Sequence, residues 1–438
     1  MTVRPSRRSA VPPFAVMTVL NRVAELRAAG REVISLCAGE PSQGAPSDVR
    51  RRAAELMTEH IRLGYTETFG IRPLREAIAG HYRRWYGLDV DPAQIATTTG
   101  SSGAFVLAFV AAFNAGDRVA MTRPGYPAYR NILASLGCEV VELDCGPAQR
   151  FQPDVSLLTA AHDHAPLAGL VLASPANPTG TMVPASQLAE LAAWCAAHSV
   201  RLVSDEIYHG ITQGDSVGTC AWEHDRTALV ISSFSKYWGM TGWRLGWMLV
   251  PEDLVVAVDA LAGNYALCAP VPAQHAAIAA FTENSYREAD IAVEGFADAR
   301  TILLDAVPDL GWTDLAPADG AFYVYAGLGG RLGHFPDSVA WCAALLDEEG
   351  VALTPGTDFD RVAGGSTVRV SLAAGSEAVA AALVRILRFQ RRHNIRPGGR
   401  PPGPPAAAPT ALEGHASEEA TLPRLGAAPP GSERAKPA

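Results

Sequence analysis

The chain has 438 residues, 48% of them hydrophobic and 18% charged, with a net charge of −9, so it can bury a sizeable core and should divide into domains of roughly 100–200 residues. The acidic balance argues against nucleic acid as a main partner, and any anionic ligand must be met by local cations. The seven cysteines, Cys37, Cys138, Cys145, Cys195, Cys220, Cys268 and Cys342, are scattered and never closely paired; this suggests neither a disulfide framework nor a metal site and points to buried reduced thiols in a cytoplasmic protein.

Residues 1–13 are basic through Arg4, Arg7 and Arg8 but lead into prolines, not into the apolar stretch of a signal peptide. The longest apolar run, 104–113, is well short of the ~20 residues of a membrane helix, so neither export nor a spanning segment is expected. Residues 14–29 carry helical spacing, with Val16, Val19, Leu20, Val23 and Leu26 along one side and Gly30 as a stop. The run 33–39 predicts a short strand ending at Gly39. A glycine there permits close approach to the backbone, or simply marks a turn. Tyr65-Thr-Glu-Thr-Phe-Gly-Ile-Arg-Pro-Leu-Arg75 opens a helix expected to run through Tyr82.

A strand begins at Ile95. The small-residue turn Thr99-Gly-Ser-Ser-Gly-Ala104 follows it, then a helix predicted over 105–112. The turn exposes free N–H groups at a helix start, where the dipole favours an anion; the amides of Ser101 and Ser102 are candidate phosphate donors. It lacks the full dinucleotide fingerprint. After a strand at 118–121, Pro124-Gly-Tyr-Pro-Ala-Tyr129 holds Tyr126 rigidly between prolines, which suits stacking on a flat ring or packing on the core.

Strand 167–173, helix 186–198 and strand 200–203 succeed one another as right-handed parallel crossovers. Sheets of this kind bind ligands beyond the carboxyl ends of their strands. Asn177, in Ser174-Pro-Ala-Asn-Pro-Thr-Gly180, and Asp205, in Ser204-Asp-Glu-Ile-Tyr208, stand at two such ends. The third end begins Ser232-Ser-Phe-Ser-Lys-Tyr-Trp-Gly-Met-Thr-Gly-Trp-Arg-Leu-Gly246, so Lys236 lies on a loop between an apolar strand ending near Ile231 and the apolar run 243–250. A lysine can form an imine with an aldehyde where its surroundings favour the neutral amine. Arg244 with Ser233 and Ser235 makes a phosphate cradle, and an aldehyde that carries a phosphate is pyridoxal 5'-phosphate. In isolation Ser-x-Ser-Lys would read as a solvated loop. The company of Asn177 and Asp205 makes the difference, since a carboxylate at an apolar strand end needs a positive partner such as a protonated pyridine nitrogen.

Helices are expected over 273–281 and 292–306, the second leading to a smaller domain. Turn-and-strand segments follow at 316–325 and 351–359. In Thr367-Val-Arg-Val-Ser-Leu372 the alternation puts Arg369 on one face with Thr367 and Ser371. The helix 376–391 closes the folded part. From about Ile395 a proline-, alanine- and glycine-rich tail should stay disordered and carry no catalytic role.

The segment around Lys236 resembles the internal-aldimine signature of the class I and II aminotransferases, the fold-type I pyridoxal-phosphate enzymes, and the resemblance extends from about Phe14 to about Phe389. It implies a mostly parallel seven-stranded α/β sheet in a large domain over 46–285, a smaller α+β domain over 286–392, an arm over 1–45 and a tail from 393. It also implies that Lys236 holds the cofactor and moves the substrate's α proton, that Asp205 pairs with the pyridine nitrogen, and that Asn177 and Tyr208 donate to the phenolate oxygen. Tyr126 stacks on the ring; Ser101, Ser102, Ser233 and Arg244 hold the phosphate; Tyr65 reaches the phosphate of a partner subunit in a homodimer. Arg369 clamps the substrate α-carboxylate beside Gly39. The reaction implied moves an amino group between an L-amino acid and a 2-oxo acid in two half-reactions. The same parts would serve a lyase or synthase acting on an amino acid, and a non-catalytic ligand sensor would need a DNA-binding module for which the residues before Phe14 are too few. No arginine or lysine occurs within 263–272, so a neutral or aromatic donor is favoured over aspartate.

Overall fold

The computed structural model describes residues 3–59, 61–214 and 216–395. Its twelve strands are β1 (Ile34–Ser35), β2 (Ile95–Thr98), β3 (Arg118–Arg123), β4 (Glu139–Asp144), β5 (Gly169–Ala173), β6 (Arg201–Asp205), β7 (Leu229–Ser233), β8 (Gly246–Leu249), β9 (Tyr323–Gly327), β10 (Val351–Ala352), β11 (Thr354–Pro355) and β12 (Thr367–Ser371). The helices are α1 (Ala15–Ala28), α2 (Ser47–Thr58), α3 (Arg72–Tyr86), α4 (Gly100–Ala112), α5 (Pro127–Leu136), α6 (Val155–His164), α7 (Ala185–Ala197), α8 (Val255–Ala266), α9 (Val271–Ala277), α10 (Glu283–Leu310), α11 (Ser338–Glu349) and α12 (Ser376–Arg392).

Seven strands form one sheet in the order β2-β8-β7-β6-β5-β3-β4. Its five central and outer strands β7, β6, β5, β3 and β4 pair in parallel, and β8 runs antiparallel to both its neighbours. The strands β5 and β7 are buried at every position, which is why they read as unbroken apolar runs and not as alternating ones: a parallel sheet is covered on both faces. The antiparallel placing of β8 matters for the site. Ser233 at the end of β7 and Thr98 at the end of β2 both pair with Gly246 at the start of β8, so the loop after β7 and the start of α4 meet at one edge of the sheet.

The smaller sheet, β11-β12-β9, is antiparallel, with Arg369 opposite Thr354 on one side and Tyr325 on the other. Between the arm and this part, β1 pairs in parallel with β10.

Several boundaries differ from expectation. The strand at 33–39 is regular only over two residues; beyond it the carbonyls of Cys37 and Gly39 accept bonds from the side chains of Arg369 and Lys236 instead of from a neighbouring strand. The segment from Tyr65 does not open a helix, since α3 starts only at Arg72 with proline in its first turn. α4 begins at Gly100, five residues before the expected start, so the small-residue turn is itself helical. α10 is one helix of 28 residues from Glu283. Ile395, about where the tail is expected to begin, is buried, and its carbonyl accepts a bond from Arg331 at 2.7 Å. Residues 396–438 lie outside the described part. All seven cysteines are free and six are buried, and no helix among the described residues is long and apolar enough to cross a membrane.

Candidate active site

At the carboxyl edge of the large sheet lies a cavity of about 510 Å³, lined by groups from both sheets and from α1. Lys236, Asp205 and Asn177 all face it, because β7, β6 and β5 are adjacent and end at one level. The Nζ of Lys236 donates to the carbonyl of Gly39 at 2.7 Å. Burial, aided by the nearby charge of Arg369, pulls its pKa down to about 8, so the neutral amine is accessible in mildly alkaline solution.

Asp205 is buried and has no cation at salt-bridge distance among the described residues. Burial pushes its carboxyl up to about 6, opposed by a hydrogen bond from the hydroxyl of Tyr129 and one from the N–H of Ile207 at 3.2 Å. Tyr129 is a site residue that sequence reading did not single out. Its signal was its spacing, three residues after Tyr126, which puts both rings on one face of α5's first turn.

Arg369 enters from β12 and is likewise buried. Its guanidinium donates to the Asn177 side-chain carbonyl (2.8 Å) and the Cys37 carbonyl (2.7 Å). It lies against the rings of Tyr323 (4.5 Å) and Phe359 (4.7 Å). No carboxylate pairs with it among the described residues, and its Nε has no partner. A buried guanidinium so placed is set up to receive an anion. With its carbonyl held by Arg369, Asn177 retains its amide N–H groups as donors.

Tyr208 is buried, and its hydroxyl lies 2.8 Å from that of Tyr323. Tyr323, also missed, shares a site with Gly39: a Cβ on Gly39 would fall 2.7 Å from the Tyr323 hydroxyl. The glycine is thus required by close approach. Tyr323 and Tyr325 share one face of β9, and that Tyr323 is the one at the cavity follows from where β9 lies along its neighbour β12, which no local pattern reveals.

The start of α4 forms a third corner. Gly100 has φ +66°, and a Cβ there would strike the guanidinium of Arg244; a Cβ on Gly246 would fall 2.8 Å from the Ser101 nitrogen. Two glycines therefore let Arg244 and the first turn of α4 close on one point. Thr99 gives the helix no side-chain cap, so its first N–H groups are left for an incoming acceptor. Ser101, Ser102, Ser235 and Arg244 line the cavity there. Ser233 does not: its hydroxyl is turned behind Ser235, accepting that residue's N–H at 3.0 Å and lying 3.2 Å from the Leu245 carbonyl. Tyr126 lines the opposite wall, its ring stacked on Phe14 at 6.1 Å. Tyr65 stands apart, 83% exposed.

A large mostly parallel sheet with a lysine, a carboxylate and an anion cradle at its carboxyl edge defines a fold-type I transferase, and residues 31–387 match the family "Aminotransferase class I and II". The chain belongs to that family, whose members depend on pyridoxal phosphate, and it is an aminotransferase. A valine–pyruvate aminotransferase of Mycobacterium tuberculosis is 52% identical over 388 residues, 88% of this chain and 98% of that one. An aspartate/prephenate aminotransferase of Thermus thermophilus is 34% identical, covering 88% and 99%. The crystal structure of an aminotransferase from Mycobacterium tuberculosis superposes with a TM-score of 0.86 at 50% identity, covering 89% of this chain and all of that one. The lyase and sensor alternatives are not favoured.

The residues present fit the cofactor. A buried carboxylate without a cation, an uncapped helix start closed by glycines around an arginine, and a lysine with a lowered pKa are the three donors and acceptors that a phosphorylated pyridine aldehyde needs.

Proposed function

We propose that this enzyme transfers the amino group of a neutral, aliphatic L-amino acid, valine among them, to a 2-oxo acid such as pyruvate. The observation that carries this reading is the apolar part of the wall of the cavity that Arg369 also lines. Phe14, Val16, Met17, Leu20 and Ile132 make it apolar, and the cations lining the cavity among the described residues are Lys236, Arg244 and Arg369. Once the α-carboxylate takes Arg369 and a phosphate takes Arg244, no cation is left for a second carboxylate. The 52% identity to a valine–pyruvate aminotransferase supports the same choice.

Bound pyridoxal phosphate supplies a carbonyl that condenses with the substrate amine and a ring that accepts the electron pair of the α carbon. Lys236 would hold the cofactor, and its freed amine would take the proton from the substrate's α carbon and return it two bonds away, at the carbon that had been the aldehyde. Asp205, kept ionised with help from Tyr129, holds a proton on the pyridine nitrogen. Asn177 and Tyr208 donate to the ring oxygen, and Tyr126 covers the ring face. Ser101, Ser102, Ser235 and Arg244 hold the phosphate, with Ser233 fixing Ser235 from behind. Arg369 orients the substrate so that its α hydrogen faces Nζ of Lys236.

In the same reading Tyr65 completes the phosphate site of a second copy in a homodimer. Its exposure supports this, as does the exposed side chain of Tyr265, which shares a surface pocket with Thr68. Residues 46–285 form the cofactor-bearing module and 286–392 the smaller one, with α10 spanning the boundary. The enzyme works in the cytoplasm without nucleic acid or membrane, in keeping with its free cysteines and net charge.

The test is to mix cofactor-loaded enzyme with single amino acids and follow the absorbance band near ~420 nm, the general range of a protonated pyridoxal imine. Loss of the band with L-valine, with L-aspartate inert, supports the assignment. The reverse preference sinks it.

A further inference from the structure

α1 is buried more deeply at one end than at the other, Val16, Val19 and Leu20 of its first half being only half-buried. Its buried residues, Val23 and Leu26, both lie in its second half, where they pack with Val33, Cys37, Leu346 and Ala352. The first half lies over the cavity, contributing Phe14, Val16, Met17 and Leu20 to its wall. Phe14 occupies the N-cap position and gives no side-chain cap.

The cap comes from a distant part of the chain. The carboxylate of Asp358 accepts the N–H of Ala15 at 2.9 Å with one oxygen and that of Val16 at 3.2 Å with the other. Asp358 is buried, and its charge is met by the positive end of the α1 dipole. The next residue, Phe359, is the ring beneath the guanidinium of Arg369. One dipeptide therefore touches two parts of the cavity lining: the arginine expected to take the α-carboxylate, and the wall expected to meet the side chain.

We infer that Asp358 is a positioning residue for substrate selection: by capping α1 it fixes the distance from Arg369 to the Phe14 wall, and so sets which side chains the cavity accepts. This rests on the neutral-donor reading above. Without the cap, the first turn of α1 is held by the Phe14–Tyr126 stacking and by the half-buried packing of Val16, and the wall moves while Lys236, Asp205 and Arg369 keep their places.

The experiment compares wild type, Asp358→Ala and Asp358→Asn in two assays. The first is the half-reaction of cofactor-loaded enzyme with L-alanine, L-valine and L-phenylalanine. For Asp358→Ala the apparent Kd of L-valine should rise about fivefold, the size of a lost helix cap, with L-alanine and the maximal rates nearly unchanged. Phe14→Ala should alter selectivity in the same way, and adding Asp358→Ala to it should change little more, because the two act through one wall. An equal change for all donors, or additive effects in the double variant, overturns the inference. The second assay is amide hydrogen exchange over residues 10–20. Exchange should quicken in Asp358→Ala and less so in Asp358→Asn, which keeps an acceptor; unaltered exchange overturns the inference as well. Wild-type enzyme that reacts with L-aspartate and with no neutral donor defeats the donor assignment, and the exchange assay then decides the role of Asp358 alone.

Discussion

Two charged groups in the cavity lack the partner that a structural role would supply. Asp205 is a buried carboxylate without a cation, and Arg369 a buried guanidinium without a carboxylate. Both are expensive in isolation, and both make sense as halves of pairs completed by a ligand. Lys236→Ala should abolish turnover while leaving the fold intact by circular dichroism; residual turnover near wild type would refute its role. Since the Lys236 pKa lies near 8, the neutral amine gains as pH rises. Capture of pyridoxal phosphate by cofactor-free protein should therefore quicken from pH 7 to 9 and then level off, and a rate flat across that range would contradict it. At Gly39 the argument is steric. Gly39→Ala puts a methyl group 2.7 Å from the Tyr323 hydroxyl, which should cost roughly 1–3 kcal/mol as overpacking does and break the Tyr323–Tyr208 hydrogen bond. Tyr323→Phe in the same chain removes the clashing oxygen, so the double variant should melt at a higher temperature than Gly39→Ala alone.

Among the elements, α4 and the β7–β8 excursion hold the anion corner together, and Gly100 is its tightest point. Gly100→Ala must accept both a strained positive φ and a clash with Arg244. It should weaken affinity for pyridoxal phosphate by at least about tenfold, one lost charged hydrogen bond, with little effect on phosphate-free pyridoxal; equal losses for the two would place the damage elsewhere. This corner was legible in the sequence in part. The lysine, aspartate and asparagine could be found because each closes an apolar run, and strand ends in a parallel sheet share one edge. The start of α4 was misjudged because Thr, Gly and Ser are poor helix formers that here begin a helix, overridden by packing against β8. Ser233 stands behind Ser235 and not at the cavity, a difference that alternation in a loop does not reveal. Tyr323 and Asp358 were beyond reach for a common reason: their contacts join residues far apart in the chain, and only strand register or helix placement brings them together.

Over the whole molecule, protons are bound unevenly. Behind the sheet from Asp205, the buried Glu206 accepts from Ser204 (3.0 Å) and from the N–H of Ala221 (2.8 Å), and burial pushes its pKa to about 8. The buried His81 and His209 are pulled down to about 3 for the same reason. Between their unfolded and folded values the histidines hold fewer protons when folded, so stability is lost as pH falls from 6.5 toward 3. Glu206 holds one more proton when folded, so its contribution is lost as pH rises from 4.5 to 8. Above pH 6.5 Glu206 alone of these three still titrates. Cofactor-free Glu206→Gln should therefore show a smaller fall in Tm between pH 6.5 and 8 than wild type, and parallel curves would refute the assignment. The antiparallel seat of β8 has a further consequence for biosynthesis. Every group expected to hold the cofactor within one subunit precedes residue 247, and β8, which gathers them, is complete at Leu249. Arg369 is translated much later. A nascent chain emerging N-terminus first can thus form its cofactor pocket before it owns the means to grip a substrate.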